Sequence, residues 1–86
     1  MWLNASTDYA NRMLICLSRA SGAVSSSKLA RTIGVSPRYL LQIGARLRDA
    51  GFVHVGHGPA GGYQLSRPSA KISLMDVIMA VNRKEN

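Results

Sequence analysis

The side chains best suited to chemistry in this sequence are hydrogen-bond donors and cations set at helical spacing. Arg38, Gln42, Ala45 and Arg46 fall on one side of a helix, opposite Leu40, Ile43 and Leu47. An arginine fork can donate two hydrogen bonds to the edge of guanine, and a glutamine amide can pair with adenine. Ala45 is small enough to let such a helix approach a groove, or to touch a thymine methyl. Ser36 and the N–H groups at the start of the helix suit a phosphate, because the helix dipole favours an anion there. Tyr39 has two readings: its hydroxyl reaches a phosphate, or its ring packs partly inside. Lys28 suits a phosphate whatever the neighbouring base. For Arg38, Gln42 and Arg46 a solvated helix face is the competing reading, and spacing alone does not separate the two.

Other kinds of chemistry find little to work with. The acids Asp8, Asp49, Asp76 and Glu85 sit on different elements, and three of them fit helix-terminus or surface roles. His54 and His57 have no sequence neighbour suited to orienting or activating them, so no nucleophile–base pair emerges and the chain does not read as an enzyme. The single cysteine, Cys16, excludes an internal disulfide and any metal or cluster site built on several thiolates. Within the apolar run Met13-Leu14-Ile15-Cys16-Leu17 it reads as a buried, inert thiol. The run from Gly56 to Gly62 holds four glycines in seven residues. It lacks the lysine and the following Ser or Thr of a phosphate-binding P-loop and opens no helix. A loop lying against a sugar-phosphate chain fits better, with Gly58, Gly61 and Gly62 allowing close approach. His57 is then a surface group bonding phosphate or water.

These residues need elements to place them. A first helix is expected over residues 7–20, capped by Ser6 or Thr7, with Asp8 near its positive end and a stripe of Tyr9, Ala10, Met13, Leu14 and Leu17. Val24 is a short extended step. Ser25, Ser26 and Ser27 offer a cap for a shorter helix that carries Lys28, Leu29, Ala30, Arg31 and Ile33 and stops at Gly34, with Val35 turned into the core. Ser36-Pro37 opens a third helix over residues 36–50, because serine caps and proline suits the first helical position. Its buried face is Leu40, Ile43, Leu47 and Ala50, and Gly51 ends it. Residues 52–66 read as two short strands around the glycine-rich loop. A last helix over residues 73–82 starts at Ser73, with Asp76 completing a capping box and Leu74, Val77, Ile78 and Val81 on its apolar side. The expected fold is mainly α with a small β-hairpin, a winged helix-turn-helix, as a single domain over residues 1–86.

The bulk numbers agree with that outline. Eighty-six residues suffice for one modest core. Eleven Lys and Arg against four Asp and Glu give a net charge of +7, which a polyanion exploits and a fold does not require. No apolar stretch approaches a membrane span, and the N-terminus carries no basic segment followed by an apolar run, so the expected compartment is the cytoplasm.

The motifs also carry a resemblance. Asp8-Tyr9-Ala10, Leu29-Ala30, Ser36-Pro37-Arg38-Tyr39-Leu40 with Gln42, and Leu47-Arg48 with Ala50-Gly51-Phe52-Val53 are similar to the Rrf-two family of bacterial transcription regulators. So are Gly58-Pro59, Gly61-Gly62-Tyr63, Leu65 with Arg67-Pro68, Ile72-Ser73-Leu74, Asp76-Val77 and Ala80-Val81. The match covers nearly the whole chain. It implies a homodimeric regulator, read here as a repressor, on a partly palindromic double-stranded DNA operator. It places base or phosphate contacts on Ser36, Arg38, Tyr39 and Gln42 and a wing contact at His57-Gly58. Relatives commonly carry arginine at position 57 and an acid at position 41, where this chain has histidine and Leu41. The family continues into a loop with three cysteines that hold an iron–sulfur cluster, then a long dimerisation helix; this sequence stops at Asn86, as a piece of a longer protein or a short form. The expectation is therefore no cofactor in this chain. Without the dimerisation helix, the first and last helices and the apolar Met1-Trp2-Leu3 end remain as pairing surfaces, with Trp2 equally readable as core. An alternative function on the same fold is a protein-interaction module controlled by a partner protein.

Overall fold

The computed structural model describes residues 4–56, 61–68 and 71–82. Helix α1 spans Ala5–Arg19, α2 Ser26–Ile33, α3 Pro37–Asp49 and α4 Leu74–Val81; strands β1 (Val53–Val55) and β2 (Tyr63–Leu65) lie between α3 and α4. The strands pair antiparallel, with Val53 opposite Leu65, His54 opposite Gln64 and Val55 opposite Tyr63.

Local chemistry explains most of the boundaries. Helix α1 begins two residues earlier than the sequence reading, because Asn4 rather than Ser6 or Thr7 is its cap. The Asn4 side chain accepts a hydrogen bond from the Thr7 backbone N–H at 3.0 Å. Thr7 is instead buried, its hydroxyl accepting from the Asn82 amide at 3.0 Å, so the residue expected to cap ties the start of α1 to the end of α4. Ser25 caps α2 and Ser36 caps α3, with Pro37 in the first turn. Gly34 and Gly51 stop their helices in the left-handed conformation, at φ 80° and 84°. After α3 the Gly51 N–H donates to the Arg48 carbonyl and the Phe52 N–H to the Leu47 carbonyl, both at 2.9 Å, and Phe52 is folded back into the core. Helix α4 carries the expected capping box, Ser73 and Asp76 exchanging bonds of 3.0 Å.

The core is continuous. Ala10, Met13, Leu14 and Leu17 of α1 meet Leu29, Ala30 and Ile33 of α2, Leu40, Ile43 and Leu47 of α3, and Val77 and Val81 of α4, with Val24, Phe52, Val53 and Tyr63 closing it below the hairpin. Val35 and Ala50 pack against it partly buried. Two expectations need correction. Cys16 is half-buried rather than enclosed, because it lies one step off the stripe that faces the core. Leu74 is 50% exposed, because α4 turns only Val77 and Val81 fully inward and leaves Leu74, Met75 and Met79 outside. Val24 does more than extend the chain: it forms an antiparallel bridge to Tyr63, with N–H to carbonyl bonds of 2.9 and 2.8 Å in the two directions.

Candidate nucleic-acid interface

The start of α3 is the most defined part of the site. The Ser36 hydroxyl accepts from the Tyr39 N–H at 3.1 Å, which fixes the first turn and sets the outward positions that follow. Arg38 and Gln42 are exposed on the outer face, Ala45 and Arg46 are half-buried beside them, and Leu41 stands 52% exposed at the same face. Lys28 is exposed in the first turn of α2, where its backbone N–H bonds the Ser25 cap at 3.1 Å. Among the described residues Lys28, Arg31 and Arg38 have no carboxylate partner, whereas Arg48 pairs with Asp49 at 3.2 Å and Arg12 with Asp8 at 3.1 Å. At Lys28, Arg31 and Arg38 the α2–α3 surface therefore carries positive charge with no carboxylate bonded to it among the described residues.

Tyr39 is half-buried, with its hydroxyl 3.0 Å from that of Ser6 and its ring edge-on to Tyr9 at 5.8 Å. The Arg12 guanidinium lies 5.5 Å over the Tyr9 ring. Tyr39 thus braces the start of α3 against α1, with its ring packed as one of its two sequence readings has it. Arg38 and Gln42 gain a fixed platform as a result. His57 and Gly58 fall outside the described residues.

One feature of the site was not legible as functional. Gly44 sits buried inside α3, although glycine in a helix interior is destabilising by roughly 0.5–1 kcal/mol relative to alanine. The cause is the Tyr63 ring: a Cβ at Gly44 would stand 2.6 Å from its Cε2 and hydroxyl oxygen. Burial pushes the Tyr63 hydroxyl above its ordinary pKa, partly offset by the positive charge of Arg48 one turn along α3. The only trace in the sequence was a glycine interrupting an otherwise good helix. At the wing root, Arg67 covers Phe52, 5.4 Å above the ring. Among the described residues no group of three or more His, Cys, Asp and Glu side chains is placed to hold a metal ion, and no helix is long and apolar enough to cross a membrane.

Two helices joined by a tight turn, the second outward-facing and followed by a hairpin, match a known family over almost the whole chain. The model of Rrf2, described as an iron-dependent transcriptional regulator, matches residues 3–86. The chain belongs to the Rrf2 family. A Mycobacterium tuberculosis protein named as an HTH-type transcriptional regulator is 33% identical over 84 residues, covering 95% of this chain and 52% of that protein. The HTH-type transcriptional regulator IscR of Cereibacter sphaeroides is 35% identical over 74 residues, covering 84% of this chain and 48% of that protein. The chain spans about half the length of the curated relatives it matches. Among solved structures, CymR, the global cysteine regulator of B. subtilis, superposes with a TM-score of 0.85 at 29% identity, covering 93% of this chain and 64% of that one. IscR of T. potens gives 0.85 at 32% identity, covering 93% and 60%. These Rrf2 relatives are transcriptional regulators rather than enzymes, and α2, α3 and the β1–β2 hairpin of this Rrf2 chain are the helix-turn-helix and wing of their DNA-binding fold.

Proposed function

We propose that this chain binds double-stranded operator DNA sequence-specifically, as one half of a homodimer in the cytoplasm, and represses transcription by occupying the promoter. The observation that carries the reading is the exposed, acid-free pair Arg38 and Gln42 on the outer face of α3, held in the first turns by the Ser36 cap and the Tyr39 brace. In a winged helix that face enters the major groove, where arginine selects guanine and glutamine adenine. Ser36 and Lys28 supply phosphate contacts, Arg46 flanks the groove, and His57-Gly58 form the wing contact. The reading includes no iron–sulfur cluster held by these residues, because Cys16 is the single thiol in the sequence and lies mid-way along α1.

Binding measured by gel shift should weaken steeply as salt rises, because phosphate contacts release counterions. Arg38→Ala should cost about 1–3 kcal/mol of discrimination at one base pair, whereas Lys28→Ala should weaken all sequences alike and reduce the salt slope by about one. Affinity indifferent to both salt and sequence sinks the reading. Promoter-reporter expression that falls when the chain is removed would reverse the assigned sign of regulation.

A further inference from the structure

Tyr63 is held from two sides. Its N–H and carbonyl both bond Val24, and its register opposite Val55 fixes it along the hairpin. Gly62, immediately before it, has φ 152°, and a Cβ there would stand 2.5 Å from the Val24 carbonyl oxygen. The strand therefore lies as close to the α1–α2 connection as a backbone without a side chain permits. The backbone of Tyr63 is thus pinned, and its ring packs inward. It crosses to α3 and ends over Gly44, 5% exposed.

We propose that the Tyr63–Gly44 contact is the positioning device that sets the gap between the recognition helix and the wing, so that one copy can engage a groove and the flanking backbone together. The inference rests on the DNA-binding reading above. Tyr63 and Gly44 are positioning residues and touch no DNA themselves. A methyl at position 44 meets the far end of the ring, and the two Val24 bonds prevent β2 from sliding to relieve it. The strain is relieved by tilting β2, and the loop it carries, away from α3 about the Val24 bonds that hold Tyr63. The outer face of α3 does not change, since Gly44 lies on the opposite flank from Arg38 and Gln42. The prediction is a selective defect: the helix still reads its groove while the wing misses the backbone beside it.

The test uses a duplex enriched from a randomised pool by the wild-type chain, with the variants Gly44→Ala, Tyr63→Leu and the two combined. Methylation protection reports the major groove, hydroxyl-radical protection reports the flanking backbone, anisotropy gives affinity, and circular dichroism with thermal melting monitors the fold. Gly44→Ala should keep its major-groove protection, lose the flanking protection, and bind about tenfold more weakly. The double variant should regain most of both, because the shorter leucine leaves space for the new methyl and the two together refill the gap that the ring spans in the wild type and that Tyr63→Leu alone leaves empty. Unchanged flanking protection and affinity in Gly44→Ala overturns the proposal. So does a loss that is equal at both sites, follows the melting temperature and is not rescued by the second substitution. Should Gly44→Ala not fold, Tyr63→Leu adds no atoms and decides alone: flanking protection lost with the groove retained supports the device, and a wild-type footprint overturns it. A wild-type chain that enriches no duplex fails earlier and removes the DNA-binding reading itself.

Discussion

At the scale of single residues, short polar side chains hold the helix that presents Arg38 and Gln42. Ser36 sets where α3 begins, so Ser36→Ala should lower stability by about 1 kcal/mol in urea denaturation and weaken DNA binding beyond that loss. Tyr39→Phe, which removes only the hydroxyl bonded to Ser6, should cost about 0.5–1.5 kcal/mol and leave base preference intact. Asp76 provides a test in pH. The Ser73 backbone N–H, then its hydroxyl, hold the Asp76 carboxyl below its ordinary pKa. A depressed folded-state value means that the stabilisation is present above the unfolded carboxylate range and lost as pH falls through the folded one. The urea midpoint of the wild type should therefore drop more steeply on acidification than that of Asp76→Asn. Parallel pH profiles for the two proteins would remove the capping box as a source of acid sensitivity.

At the scale of elements, helices and hairpin were largely legible because each is marked by local chemistry: a serine at three helix starts, a glycine after two helix ends, and alternation on both sides of the glycine-rich loop. What escaped was settled between elements. Asn4 caps α1 because Thr7 is taken by Asn82, a partner from the other end of the chain. Leu74 fits the helical stripe of α4 and still stands half exposed, because only Val77 and Val81 of that stripe turn fully inward. Arg38 and Gln42 were readable from spacing, but the compensation of Gly44 by Tyr63 was not, since it joins a helix to a strand that follows it. Truncations should reproduce this division. Leu47→Ala, in the shared core, should cost about 2–5 kcal/mol, while Leu74→Ala should stay within about 0.5 kcal/mol, as measured by chemical denaturation.

At the scale of the molecule, charge and size together set how DNA is occupied. The chain carries +7 and has a longest dimension of 38 Å, comparable to one turn of B-DNA at about 34–36 Å. On the proposed reading one copy covers one half-site, and a partly palindromic operator takes two. Hydroxyl-radical footprinting should show two protected segments centred about one helical turn, or a multiple of it, apart. A single protected segment at saturating protein would argue for a lone reader. The Val24–Tyr63 bridge has a consequence of another kind, for the order in which the chain folds. It closes a long loop that contains both α2 and α3 entire. Neighbouring helices can dock early through local contacts, but a closure across such a separation gains its bonds only after most of its entropy has been lost. The hairpin pairs locally, but its docking through Val24 should consequently register only after the α2–α3 pair has formed, so a partly folded chain presents its helix pair before the wing is fixed beside it.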